Sequence, residues 1–142
     1  MKTIVRIYMW LRPKKTKYKK VHKGNLSIFN FRSNCLKFGS IGLKATKSGT
    51  ISSRHIEAAR QAIVRKLNRK GKLWIRIFPT VPITAKPTEV RMGKGKGTVS
   101  HWSVKVNAGT ILFEVCGIAK NVATTAFKTG GSKLPIKTTI LW

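Results

Sequence analysis

The sequence predicts an α+β domain: two helices packed on a mixed, mostly antiparallel β-sheet, with a basic N-terminal arm and a long Gly/Lys loop. Three observations lead there. Two stretches repeat apolar residues at helical spacing, Ile56/Ala59/Ile63/Leu67 and Val122/Ala123/Ala126/Phe127. Several short runs concentrate or alternate β-favouring residues, as in 73–78, 101–106 and 111–115. Strands and helices also follow one another without a regular βαβ rhythm, which makes α+β the natural class. With 142 residues and 42% hydrophobic content, one domain can bury roughly two-thirds of its unfolded surface.

The elements are read in order. Residues 1–35 form an extension ahead of a folded domain at 36–142. From Arg12 to Lys23, seven of twelve residues are Lys or Arg, with Tyr18 and His22 interleaved and Pro13 and Gly24 as punctuation. Such a segment is mobile alone and ordered against RNA, where aromatics stack and lysines meet phosphates. Phe38 to Ala45 reads as an irregular strand with glycines at a bulge or close contact. Ser52 or Ser53 caps a helix running to about Arg69 and closed by Gly71. Arg54, Arg60, Arg65, Arg69 and Lys70 point away from its apolar stripe. Leu73–Phe78 is a strand stopped by Pro79 and Pro82, and Thr80–Gly97 is a loop long enough to be functional. His101–Val106 and Ile111–Val115 flank a short Asn107-Ala108-Gly109 turn, a hairpin signal. A second helix spans about Ala119–Lys128, ended by Gly130-Gly131, and Ile136–Leu141 is the last strand.

Charge bounds the partners. The chain has 30 Lys+Arg against three acids (Glu57, Glu89, Glu114) and no Asp, a formal charge of +27. A polyanion relieves that self-repulsion, so RNA or DNA is the expected partner, ahead of an acidic membrane surface. At low salt the isolated chain should be poorly soluble or partly unfolded. Cys35 and Cys116 lack metal-ligand spacing and make no disulfide framework, which leaves buried or idle thiols in a reducing compartment. Ile4–Leu11 is apolar but broken by Arg6 and too short to span a bilayer. It also lacks the marks of a signal or transit peptide, so neither a cleaved leader nor a membrane segment is expected. Three scattered Glu and three scattered His offer little for acid–base or nucleophilic catalysis. No enzymatic activity, cofactor or metal is expected.

Arg91-Met92-Gly93-Lys94-Gly95-Lys96-Gly97 suits a tip pressed against phosphates. Glycine permits close approach and ammonium groups neutralise charge. A nucleotide-hydrolysing P-loop is excluded, because Lys96 is followed by Gly97 rather than Ser or Thr and a strand comes next. A dinucleotide fingerprint fails on glycine spacing.

This stretch, with Pro87-Thr88-Glu89-Val90 before it, resembles the signature of ribosomal protein sixteen of the bacterial-type large subunit. Six further segments resemble the family in the same order. They are Pro13–Tyr18, His22-Lys23-Gly24, Phe38–Ala45, Ile56–Arg60, Gly71–Pro79 and Lys133–Thr139, so the likeness covers residues 12–140. The resemblance implies an α+β domain on large-subunit ribosomal RNA near the base of the central protuberance. The loop would point towards the tRNA path and the peptidyl-transferase region, helping to accommodate aminoacyl-tRNA while RNA performs the chemistry. Carried over by position, Arg91, Lys94 and Lys96 would meet phosphates, and Gly93, Gly95 and Gly97 would allow close approach beside Met92. Arg12, Lys14, Lys15, Lys17, Tyr18, Lys19, Lys20, His22 and Lys23 would anchor the arm, with Arg54, Arg60, Arg76 and Lys137 as further ribosomal-RNA contacts. Neighbouring large-subunit proteins are implied partners; a homo-oligomer is not expected.

The chain departs from the family pattern in its leader before Arg12, its apolar Ser27–Leu36 segment, Lys120 in place of an acidic first turn, and Gly130-Gly131. Lysine exceeds arginine 21 to 9, and with the many isoleucines this suggests an AT-rich genome. A mitochondrial ribosome is the expected location, with a plastid or bacterial cytoplasmic ribosome as the alternative. The rival from another class is a free-standing nucleic-acid-binding or chaperone-like module.

Overall fold

The computed structural model describes residues 11–26 and 29–142. Residues 1–10 lie outside that range, and with them, apart from Leu11, the expectations placed on the apolar leader. The described elements are β1 (Ile41–Ala45), β2 (Gly49–Ser52), α1 (Ser53–Lys66), β3 (Lys72–Ile75), β4 (Val81–Ala85), β5 (Thr98–Val106), β6 (Ile111–Cys116), α2 (Lys120–Gly131) and β7 (Thr138–Leu141). They form two antiparallel sheets, one ordered β3-β6-β1-β7 and the other β2-β5-β4. The class is α+β, as the sequence indicates.

The expected hairpin of residues 101–115 does not form. β5 pairs with β2 and β4, whereas β6 pairs with β1 and β3. Ile111 to Val115 is buried at every position, as a central strand covered on both faces requires. The intervening turn is tied instead to the β1–β2 connection. Gly109 N–H donates to Ala45 O at 2.8 Å, Ala45 N–H to Thr110 O at 2.9 Å, and Ala108 N–H to Ser48 Oγ at 2.9 Å. Two strand-to-strand passages thus cross between the sheets side by side, and only long-range pairing reveals it.

Other expectations shift by shorter distances. β1 begins at Ile41, and Phe38, Gly39 and Ser40 lie outside it. β2, unmarked in the sequence, leads directly into α1, where Ser52 Oγ accepts from His55 N–H at 3.3 Å. α1 stops at Lys66, before Asn68 and Arg69 turn left-handed (φ 49° and 59°). The Thr80–Gly97 segment is not all loop, since β4 occupies 81–85 with Pro82 opposite Trp102. β4 is an edge strand, where a residue without an N–H is tolerated.

α1 and α2 pack against each other over a core of Leu43, Ile51, Ile56, Ile63, Phe113 and Phe127. Val122, expected to be buried, is 44% exposed. Gly130-Gly131 does not end α2, which runs through both residues. Gly130 sits at the helix crossing, and a Cβ there would collide with the Ile63 side chain. The close approach of the helices therefore outweighs glycine's helix penalty of about 1 kcal/mol. Gly130→Ala should lower stability by about 1–3 kcal/mol through overpacking. In combination with Ile63→Ala, which removes the colliding carbons, the joint loss in urea unfolding should be less than the sum of the two separate losses. A stabilised Gly130→Ala chain would show that the crossing has room to spare.

Candidate nucleic-acid interface

β4 and β5 pair up to Ala85 and Thr98, so the Gly/Lys segment is the tip of a long hairpin projecting from the three-stranded sheet. Arg91 to Lys96 are all exposed, Met92 at 99%. Gly93 (φ 102°), Lys94 (φ 52°) and Gly95 (φ 80°) are successive left-handed residues, a conformation that favours glycine. A Cβ on Gly93 or Gly95 would meet nothing within 4 Å, so backbone geometry sets the need there. Gly97 differs: a Cβ would lie 2.5 Å from Ala85 O. It closes the hairpin neck.

The arm reaches this tip. Lys20 Nζ donates to Lys96 O at 2.6 Å, and Lys96 Nζ donates to Val21 O at 2.8 Å. Lys86 Nζ bonds Gly93 O. Two basic segments about 75 residues apart thus form one surface. Further along the arm, a groove of about 340 Å³ is lined by Lys23, Gly24 and Leu26 with Thr50, His55, His101 and Lys105 among others. Arg12, Lys14, Lys15, Lys17, Tyr18, Lys19, His22 and Lys23 are exposed along residues 12–23, and Lys17 Nζ lies 5.5 Å from the Tyr18 ring centroid.

The remaining expected residues are placed elsewhere. Arg54 is exposed in the first turn of α1. Arg60 is held by Glu57 through Nε–Oε2 at 2.8 Å and Nη2–Oε1 at 2.6 Å. The Arg60 hydrogen bond, partly opposed by burial, holds the Glu57 carboxyl below its ordinary value. Arg60 also lines an open groove of about 610 Å³ with Arg65 and Arg69. Lys137 is exposed ahead of β7. Arg76 is only 13% exposed and forms an ion pair with Glu114.

Glu114 is what the sequence reading passed over, noting it only as one of three acids. It lies in the centre of β6, fully buried, opposite Trp74. Its carboxylate accepts from Phe38 N–H at 2.7 Å, from Gly39 N–H at 2.8 Å, from Lys37 N–H and from Arg76. Burial pushes the carboxyl up, but the N–H groups of Phe38 and Gly39, the Arg76 guanidinium and the Lys37 N–H outweigh it, and the net shift is downward. An acid inside an otherwise apolar strand was the available signal. Phe38, carried by the segment Glu114 fixes, stacks on Trp74.

Cys35 and Cys116 are both exposed and free, not buried. Among the described residues no group of three or more His, Cys, Asp or Glu could hold a metal ion, and no helix is long and apolar enough to cross a membrane.

Comparison with known proteins decides the family. Residues 13–141 match the model described as ribosomal protein L16p/L10e. The chain belongs to that family. Among its relatives, the large ribosomal subunit protein uL16 of Halorhodospira halophila is 52% identical over 131 residues, covering 92% of this chain and 96% of the relative. The uL16 protein of Blochmanniella pennsylvanica is 51% identical over 133 residues (94% and 98% covered), and that of Cereibacter sphaeroides 50% over 131 residues (92% and 96%). The L16 family is a structural ribosomal component and not an enzyme.

Proposed function

We propose that this chain is a structural constituent of the large ribosomal subunit, bound to large-subunit RNA through its arm and the arginine-lined face of α1. Its Gly/Lys hairpin tip lies beside the tRNA path close to the peptidyl-transferase centre. The observation that carries the reading is the clasp between Lys20, Val21 and Lys96. It gathers two basic, acid-free parts of the chain into one exposed surface that has no apolar role to fill. In that surface Arg91, Lys94 and Lys96 meet phosphates, with Arg12 to Lys23 bound alongside. Arg60 and Arg76 act differently from the rest. Each already has a carboxylate partner, so their charge reaches RNA diminished.

Binding through so many cations should be dominated by counterion release. Native protein should sediment with the large subunit and stay there through moderate salt washes, leaving only at high salt. Sedimentation as a free protein would instead support a module acting outside the ribosome. On location, the lysine excess marks an AT-rich genome, which fits a mitochondrial ribosome and equally a plastid or AT-rich bacterial one; the bacterial origin of the relatives supports the bacterial ribosome. A tagged copy fractionating with mitochondria separates the first from the others.

A further inference from the structure

Away from the arm and hairpin, the four-stranded sheet carries a second feature of nucleic-acid chemistry. Phe38 and Trp74 lie with ring centroids 6.2 Å apart and planes 21° from parallel. Phe38 is 56% exposed. Both rings carry a cation: Arg76 Cζ lies 5.3 Å from the Phe38 centroid and Lys72 Nζ 5.1 Å from that of Trp74. Phe38 is exposed and Trp74 half-buried, and a ring pair with the Lys72 ammonium beside it, Arg76 being held by Glu114, fits a partner that is both aromatic and anionic.

The platform is also rigid. Glu114 accepts the N–H groups of residues 37, 38 and 39, and Gly39 lies so close to β6 that a Cβ would approach Val115 O to 2.7 Å. Phe38 is therefore fixed before any partner arrives, which lowers the ordering cost of binding.

We infer that Phe38 and Trp74, with Lys72 and Arg76, form a stacking site for an unpaired nucleobase of RNA. The inference rests on the RNA-binding reading above but uses a different surface and a different force. Phosphate contacts are blind to the base, whereas stacking requires one. A rigid ring pair beside the Lys72 ammonium, on a chain of charge +27, favours a base over an apolar protein surface.

The test compares full-length protein binding to a short oligoadenylate and to an abasic oligomer of equal length, at salt high enough to weaken phosphate contacts. The native chain should prefer the oligoadenylate by roughly five- to a hundredfold. Phe38→Leu should lose most of that preference while binding the abasic oligomer unchanged. Phe38→Tyr, which keeps the ring, should retain it and guards against a folding artefact. Equal affinity of the native chain for both oligomers overturns the stacking site alone and leaves the face to a protein neighbour. Binding of neither oligomer at this salt, with both bound at low salt, overturns the stacking site alone; binding of neither at low salt overturns it together with the RNA-binding reading.

Discussion

Glu114→Ala should cost the RNA-free domain about 3–5 kcal/mol, the penalty for leaving a buried charge without its partner. The loss has two parts. Arg76 keeps a guanidinium in a site only 13% exposed, and three N–H groups at 37–39 lose their acceptor. Domains of ordinary stability hold about 5–15 kcal/mol, so the variant should sit near the edge of folding in urea titrations at moderate salt. Replacing Glu114 and Arg76 together by apolar residues should cost less than Glu114→Ala alone, because no charge is stranded.

Acidity offers a second reading of the same group. The native carboxyl lies below its ordinary 4.5, so the native state releases the proton more readily than the unfolded chain. The stabilisation is therefore fully present above about pH 4.5 and disappears as pH falls through the lower native value. Glu114→Gln cannot titrate. The stability gap between it and the native chain should narrow below pH 4.5, and a gap constant with pH would show that the carboxylate is not what holds residues 37–39.

The second large effect belongs to the hairpin tip. Each lysine that meets RNA phosphate contributes about 0.7–0.9 to the slope of log affinity against log salt, so Lys94→Ala with Lys96→Ala should flatten that slope by about 1.5. Incorporation into the subunit should survive, because the arm and α1 remain. Accommodation of aminoacyl-tRNA should slow roughly tenfold, less than one charged hydrogen bond in energy. Lys96 has a further role through Val21 O, so Lys96→Ala alone should also make residues 20–21 more open to protease. Unchanged translation in the double variant would remove the tip from the tRNA path.

Most of the class was legible along the chain, and so was the charge that marks the candidate interface, for identifiable reasons. Helical periodicity is local, and the buried faces of Ile56/Ala59/Ile63 and Ala123/Ala126/Phe127 follow it. Charge is local too, and the Gly/Lys tip is visible as a run. What stayed hidden depends on partners distant in sequence. Strands 101–106 and 111–115 look like neighbours but join different sheets, each pairing with strands distant in the sequence. Gly130 reads as a helix stop until Ile63 is seen against it. Pro82 reads as a breaker until β4 is found at an edge. Glu114 looks like one stray acid until residues 37–39 and Arg76 close around it.

A map of the assembled large subunit containing this chain tests the central claim most directly. Residues 91–97 should lie against RNA, with the ammonium groups of Lys94 and Lys96 at phosphate oxygens and the Lys20–Lys96 clasp intact or exchanged for phosphate. A hairpin tip facing open solvent, with no nucleotide in reach, would contradict it.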